Sequence, residues 1–466
     1  MPDPHPTTTD TDAPFPDIAD SLRTKLSCEV IGPGDADWER SRLAWNTHVD
    51  QRPAAIVTPD GADDIRATVA LAREHTLTVA VQPNGHGATT ALSGTILIRP
   101  VRLRDITVDT ERRRVRVQAG AKWKELQEAL DGTGLMGLPG STADNSVVGY
   151  HLGGGLSWFG RAHGPAANYV RSLEVVTPEG ESREVTAEND PDLFWALCGG
   201  GGDFGVVVSL EIELLDESPV YGGRLMWPAE CAEEVLRAYV ATTRAAPVRL
   251  SAWLWFVTYP PIDAIPAELQ GRSFAVVDST FLGTAEEAER YLRHLRAVPG
   301  LETDTLGPVA VSRIDEVAGE PTDPMPAIDW ARLVTDIDEE FVKRLLELNA
   351  PGGGSPVVAQ LRHIGGALAQ PGATAASGLA GEYLLTTMGI PVTETDAEAI
   401  HHHLDRLETA LADNLIGHSH PNMLGHDSRA RLAHSPANLE RLRRIKRERD
   451  PAGVIRGNRP VLGSSE

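Results

Sequence analysis

Apolar and polar residues alternate along this chain with two periods, one near 3.6 and one of 2. Over residues 61–75, Ile65, Val69 and Ala72 share one face, with Asp63 and Asp64 in the first turn and Arg73 and His75 in the last. That pattern predicts a helix. The run Val79-Ala80-Val81 follows at once and is broken by Pro83 and Gly85, which predicts a short buried strand entering a turn. Further strands are expected over 96–98 and 115–117, and a helix over 122–131 stopped by Gly132. Residues 171–185 read as a hairpin turning at Pro178-Glu179-Gly180. Asp190-Pro191 opens a helix ending at Cys198, and 206–214 is a long apolar strand. From 216 to 419 the character changes. Strands such as 251–257 and helices such as 285–295 are mixed there with Gly- and Pro-rich loops at 350–356 and 370–378.

The expected organisation is α+β. A first domain covers 21–215, an inserted α+β domain 216–419, and the segment 420–466 returns to the first domain. Residues 1–20, rich in Pro, Thr and Asp, read as a disordered leader, with neither the basic nor the apolar region of a signal peptide.

Composition narrows the classes. A length of 466 residues suggests two domains or three, and 41% hydrophobic with 23% charged residues is ordinary for a soluble globular protein. No apolar run approaches the roughly 20 residues that span a bilayer. Three scattered cysteines, Cys28, Cys198 and Cys231, argue against a disulfide framework and against a structural metal. Cytoplasm is the expected compartment. A net charge of −23 disfavours nucleic acid as a partner. The exception is 429–449, where eight Arg or Lys face two Glu. Leu439, Leu442 and Ile445 recur there every three residues, so an amphipathic helix packed on the body is expected, with a nucleic-acid patch as the minor reading.

Candidate chemistry lies in three glycine clusters. The first, Gln82-Pro83-Asn84-Gly85-His86-Gly87, follows a strand, and backbone of little bulk can approach a phosphate closely. The second is Gly149-Tyr150-His151-Leu152-Gly153-Gly154-Gly155, the third 198–206. Neither of these has the strand, helix and acidic residue of a Rossmann fingerprint. Triple glycines suit backbone lying against a large planar or extended ligand, though tight turns are the plainer reading. Three adjacent histidines, His401, His402 and His403, sit on an expected helix and diverge by about 100° each, so they cannot converge on one metal. No metal site is expected.

The order of these pieces resembles the FAD-binding proteins of the vanillyl-alcohol oxidase type (the PCMH fold), and within them the bacterial berberine-bridge-enzyme-like oxidases. Their W-N…R-P-x-x-I opening is matched by Trp45-Asn46 and Arg52-Pro53-Ala54-Ala55-Ile56. R-x-G-G-H appears as 82–86 with Gln82 for arginine, G-[HY]-x-x-G-G-G as 149–155, and D-L-F-W-A-L-x-G-G-G-G-x-F-G as 192–205. L-R-H-[IL]-G-G-A stands at 361–367, and the closing R-L…K…D-P…R-x-N at 441–458.

The resemblance implies two FAD-binding subdomains with an inserted substrate domain built on an antiparallel sheet. FAD would lie extended, its pyrophosphate on the 82–87 loop. Further contacts are implied from Gly140, Ser141, Thr142, Ser146, Gly149, Tyr150, Gly153, Gly154, Gly155, Gly205, Val207 and Asn458. His86 stands where the family joins a ring nitrogen to the flavin 8α-methyl. Residues 140–144 hold no cysteine for a second bond, so a single attachment is expected, and Cys198 is expected to be a packed small residue.

Tyr150 is implied to donate to the reduced flavin near N1–C2=O, with packing as the equal alternative. The family's Y-x-N-[FY] motif, which supplies a base, reads here His420-Pro421-Asn422-Met423, with both aromatics gone. His420 is then the candidate base, or one surface histidine among several. Without a base the substrate would have to be acidic already, as a phenol or enol is. On the strand 358–363, Gln360 and Arg362 share one face and Ala359, Leu361 and His363 the other, so Gln360 with Arg362 or His363 is a candidate substrate contact. Trp253 and Trp255 form an aromatic wall or simply core.

The implied function is an FAD oxidase. It would take a hydride from a small organic substrate, expected to be a secondary-metabolite intermediate, to flavin N5, with dioxygen as acceptor and hydrogen peroxide as product. Alternatives are a dehydrogenase with another acceptor, a carbohydrate or alcohol oxidase, and a silent flavin-binding homologue. Monomer and homodimer are both open.

Overall fold

The computed structural model describes residues 18–463, with Ile262 and Ala264 left out. Most of the leader lies outside the described residues. Its last three residues instead open the helix Ile18–Lys25, because Ile18, Ala19 and Leu22 are buried against the first sheet.

That sheet joins strands Glu29–Ile31, Ala55–Thr58, Val79–Val81 and Ile96–Ile98, with Ile96–Ile98 between and parallel to Ala55–Thr58 and Val79–Val81. The helix Ala62–Glu74 covers it with the predicted stripe Ile65, Val69 and Ala72. A second, antiparallel sheet is centred on Val206–Glu213, between Arg114–Gln118 and Val170–Val176. The expected hairpin forms there as Val170–Val176 paired with Ser182–Val185.

The largest sheet is antiparallel and built within residues 220–389, with Leu250–Thr258 and Val357–His363 as neighbouring strands near its middle. Four helices, Ala232–Ala245, Ala285–Arg296, Glu339–Asn349 and Glu394–Ala410, bury their apolar stripes on one face with Leu254, Leu361 and Leu385. The opposite face turns toward the glycine loops: Trp253 is stacked on Trp158 with ring centroids 3.4 Å apart. Strand alternation produces this division, since successive side chains leave a strand on opposite faces.

The basic segment is not one helix. It breaks at His434-Ser435, and Ser435 caps the helix Pro436–Arg449 by accepting from the Asn438 N–H. Arg441 and Arg444 pair with Asp192, and Arg449 with Asp190, so this charge is engaged on the helix Pro191–Leu197 rather than held free. The chain then runs beside the first sheet: Val79 N–H donates to Val454 O at 2.7 Å, and Arg456 N–H to Val79 O at 2.8 Å. Among the described residues no helix is long and apolar enough to cross a membrane.

Candidate functional site

The three glycine clusters, far apart in sequence, line one cleft with about 1480 Å³ of empty space including its mouth. The 82–87 loop forms one wall. It turns out of the strand Val79–Val81 at Gly85, where φ is +91° and an added Cβ would stand 2.7 Å from the Ala44 Cβ. Only glycine permits both. That approach brings Trp45 over His86, ring planes 14° apart and centroids 4.3 Å apart.

His86 is the most informative side chain. Both ring nitrogens are buried without a hydrogen-bond partner, on the cleft wall. Burial lowers its pKa to about 4, a shift that nearby Asp144 opposes and Lys122 reinforces, so the ring is neutral at pH 7. A buried, unsatisfied polar group costs about 1–3 kcal/mol, and an imidazole of this kind fits a site completed by a bound group. Asn84 donates to the Asp144 carboxylate at 3.1 Å, and Lys122 pairs with the same side chain. Gln82 and Gln51 exchange amide hydrogen bonds of 2.8 and 3.1 Å, which fixes the loop where the family carries arginine.

Most residues expected at the cofactor line the cleft: Gln82 to Gly87, Gly140, Ser141, Ser146, Gly149, Tyr150, Gly153, Gly205, Val207 and Asn458. Thr142, Gly154 and Gly155 do not. Gly154 is small for another reason: a Cβ there would meet the Ala376 Cβ at 2.8 Å and His420 Nε2 at 3.1 Å. Gly155 donates its N–H to Asn422 Oδ1 at 2.9 Å. These two glycines let neighbouring segments pack.

The catalytic expectations change more. The Tyr150 hydroxyl donates to Leu138 O at 3.0 Å, and its ring packs edge-on to Trp123. Its one proton is therefore engaged within the protein. His420 is 1% exposed and is not on the cleft lining. Its Nδ1 accepts the Asn422 N–H at 3.3 Å, which puts the ring proton on Nε2, and burial holds its pKa at about 3. A ring with its free nitrogen already protonated is a donor, not the expected base. Gln360 also lies off the lining. Its carbonyl accepts from Arg362 Nε and from Thr386 Oγ1, so it positions Arg362 rather than touching the cleft. His363, on the opposite face, is held by the Arg161 guanidinium. Cys198 is buried, and burial pushes its thiol far up.

Several lining residues escaped the sequence reading or were only grazed by it. Asn422 and Met423 line the cleft, with Met423 at the motif's second aromatic position. His434 is 5% exposed on the lining, with its pKa lowered by burial to about 3. Asp203 accepts the N–H groups of Gly457 and Val461 and lies beside Lys446, while Arg459 sits against Gly87. No short-range pattern marks them, because they come from segments joined only by the fold. Among the described residues no cluster of His, Cys, Asp or Glu suits a metal.

The geometry is a cleft between glycine-rich loops, and comparison with known proteins points to its ligand. Residues 53–186 match the model of the FAD binding domain family. Most of the chain superposes on a berberine-bridge-enzyme-like protein, Physcomitrella patens BBE-like 1, with TM-score 0.82 and 16% identity, covering 95% of this chain and 98% of that one. A chitooligosaccharide oxidase gives TM-score 0.81 at 18% identity, covering 96% and 100%. The chain thus carries an FAD binding domain over residues 53–186 and shares its overall fold with the berberine-bridge-enzyme-like and chitooligosaccharide oxidase structures. Among curated relatives, the FAD-dependent monooxygenase FUP4 of Fusarium proliferatum is 34% identical over 222 residues, 45% of this chain and 43% of its own. An FAD-linked oxidoreductase of Aspergillus fumigatus, hasG, is 28% identical over 309 residues, 61% and 59%. The matches span about half the length of these relatives.

Proposed function

We propose that this protein is an FAD-dependent oxidase of a small organic molecule, with the flavin joined through one ring nitrogen of His86 and dioxygen as electron acceptor. The observation that carries the reading is His86 itself: buried, neutral, unpartnered at both nitrogens and held in plane by Trp45 on the cleft wall. When bound, FAD supplies a two-electron acceptor. Gly85 and the 82–87 backbone bring the chain close enough to cradle it, and Asn458 ties the closing segment to the residues just after that loop by accepting the Thr89 N–H at 3.2 Å.

The lining residues also restrict the substrate. Met423 has no proton chemistry, the Tyr150 hydroxyl is engaged, and His434 at a pKa of about 3 is a weak base. A sugar or simple alcohol would need a stronger base to take its hydroxyl proton. A phenol, enol or other acidic centre would not, which favours tailoring of a natural-product intermediate over sugar oxidation.

The test is the visible spectrum of purified protein before and after acid precipitation. Wild type is expected to keep its yellow colour in the pellet, and His86→Ala to release it to the supernatant. Colour released equally by both would overturn the linkage, and a colourless protein that does not take up FAD would overturn the assignment.

A further inference from the structure

Among the described residues of 220–389, Arg362 is the one that lines the cleft. It is 6% exposed, and everything around it fixes its orientation. Its guanidinium carbon lies 4.0 Å from the Trp253 ring centroid, and Trp253 is stacked in turn on Trp158. Trp253 is its register partner on the neighbouring strand, so sheet pairing itself builds this column. Nε donates to the Gln360 carbonyl, and one terminal nitrogen reaches Glu320 at 3.4 Å, a long contact to a partly exposed carboxylate. The nearby Asp278 is already gripped by Arg224 through two bonds of 2.7 and 2.8 Å. The other terminal nitrogen of Arg362 makes no hydrogen bond among the described residues.

A planar cation held rigid by stacking, with donors left over at a cavity wall, is suited to a carboxylate or phenolate. The second arginine of the lining is not equivalent: Arg459 is bonded to Gly425 O and has Asp329 and Asp427 beside it. We propose that Arg362 is the anion-recognition group of the substrate end of the cleft, and that the substrate is a small organic anion, a carboxylate or phenolate. This rests on the FAD reading and, for a phenolate, agrees with a cleft poor in bases, since the phenolic proton that oxidation must remove is already gone; for a carboxylate Arg362 would serve binding alone.

The probe is benzoate, titrated into flavin-loaded protein and followed by the change in the visible flavin spectrum, with benzyl alcohol as the uncharged comparison. Saturable perturbation by benzoate at least tenfold tighter than by benzyl alcohol is expected, weakened about tenfold or more in Arg362→Met and largely kept in Arg362→Lys. Equal response to both probes in wild type would overturn the proposal without need of any variant. So would unchanged benzoate affinity in Arg362→Met with a lowered flavin potential, which would place the charge on the cofactor. A protein without flavin would instead overturn the reading of the preceding section. A flavin-loaded protein blind to benzoate overturns this inference alone.

Discussion

At the scale of single residues, the side chains that decide the chemistry are those whose hydrogen bonds are accounted for atom by atom. His420 shows this best. Its Nδ1 accepts from Asn422, so its proton sits on Nε2, and its pKa of about 3 keeps it neutral over the working range. Ring-labelled ¹⁵N spectra, with His420→Gln to assign the signal, should show an Nε2–H tautomer that does not titrate between pH 5 and 9. A titration near 6.5 would return it to the role of base. The sequence carried His86 clearly, because strand, breaker and histidine are contiguous. It could not carry the state of His420, which depends on burial that no periodicity reports. Arg362 was legible only as one member of a strand face, and its exposure to the cleft depends on how that sheet docks.

Between elements, the helix Pro436–Arg449 joins the third glycine cluster to the chain's last turn. Lys446 Nζ is buried, 2.8 Å from Asp450 and bonded to the carbonyls of Asp203 and Ile455, while Asp203 and Asp450 accept backbone N–H groups of residues 454–461. Removing one partner of such a buried network strands the remaining charges, at a cost of about 3–5 kcal/mol. Lys446→Met is therefore expected to lower the thermal midpoint and weaken flavin retention, whereas Arg447→Met, an exposed neighbour, should change neither measurably. The elements themselves were well marked in the sequence: the helix over 61–75, the hairpin over 171–185 and the strand from 206 all form close to their expected bounds. The break at His434-Ser435 was hidden by the continuous basic run, although Ser435-Pro436 is a sound helix start.

For the molecule as a whole, the buried histidines set an acid limit. His151, His420, His426 and His434 all have pKa values lowered by burial to between about 3 and 4. Unfolding returns each to about 6.5, so between these values the unfolded chain binds more protons and stability falls as pH falls. Each contributes about 1.4 kcal/mol per pH unit in that window. Asp329, raised by burial to about 7, acts in the opposite sense: its contribution is lost as pH rises toward 7. The histidines lowered by burial outnumber the carboxyls raised by it, Asp329 with Asp203 and Asp278 shifted in the same direction, which predicts a drop in the thermal midpoint from pH 7 to pH 5, with the slope reduced by about one proton in His420→Gln. A midpoint independent of pH over that range would contradict the burial of these rings.

The parallel contact of Val79 with residues 454–456 also governs when the protein becomes competent. The strand that leads to His86 leaves the ribosome well before its neighbour, which is made only after the whole large sheet has been synthesised. At about 5–20 residues per second that interval is on the order of 20–70 s. Throughout it, the half-built cradle has an unpaired edge and a histidine with nothing to hold. Cofactor capture is thereby expected to wait until residues 454–456 have been made, and a chain truncated before the helix Pro436–Arg449 should emerge colourless.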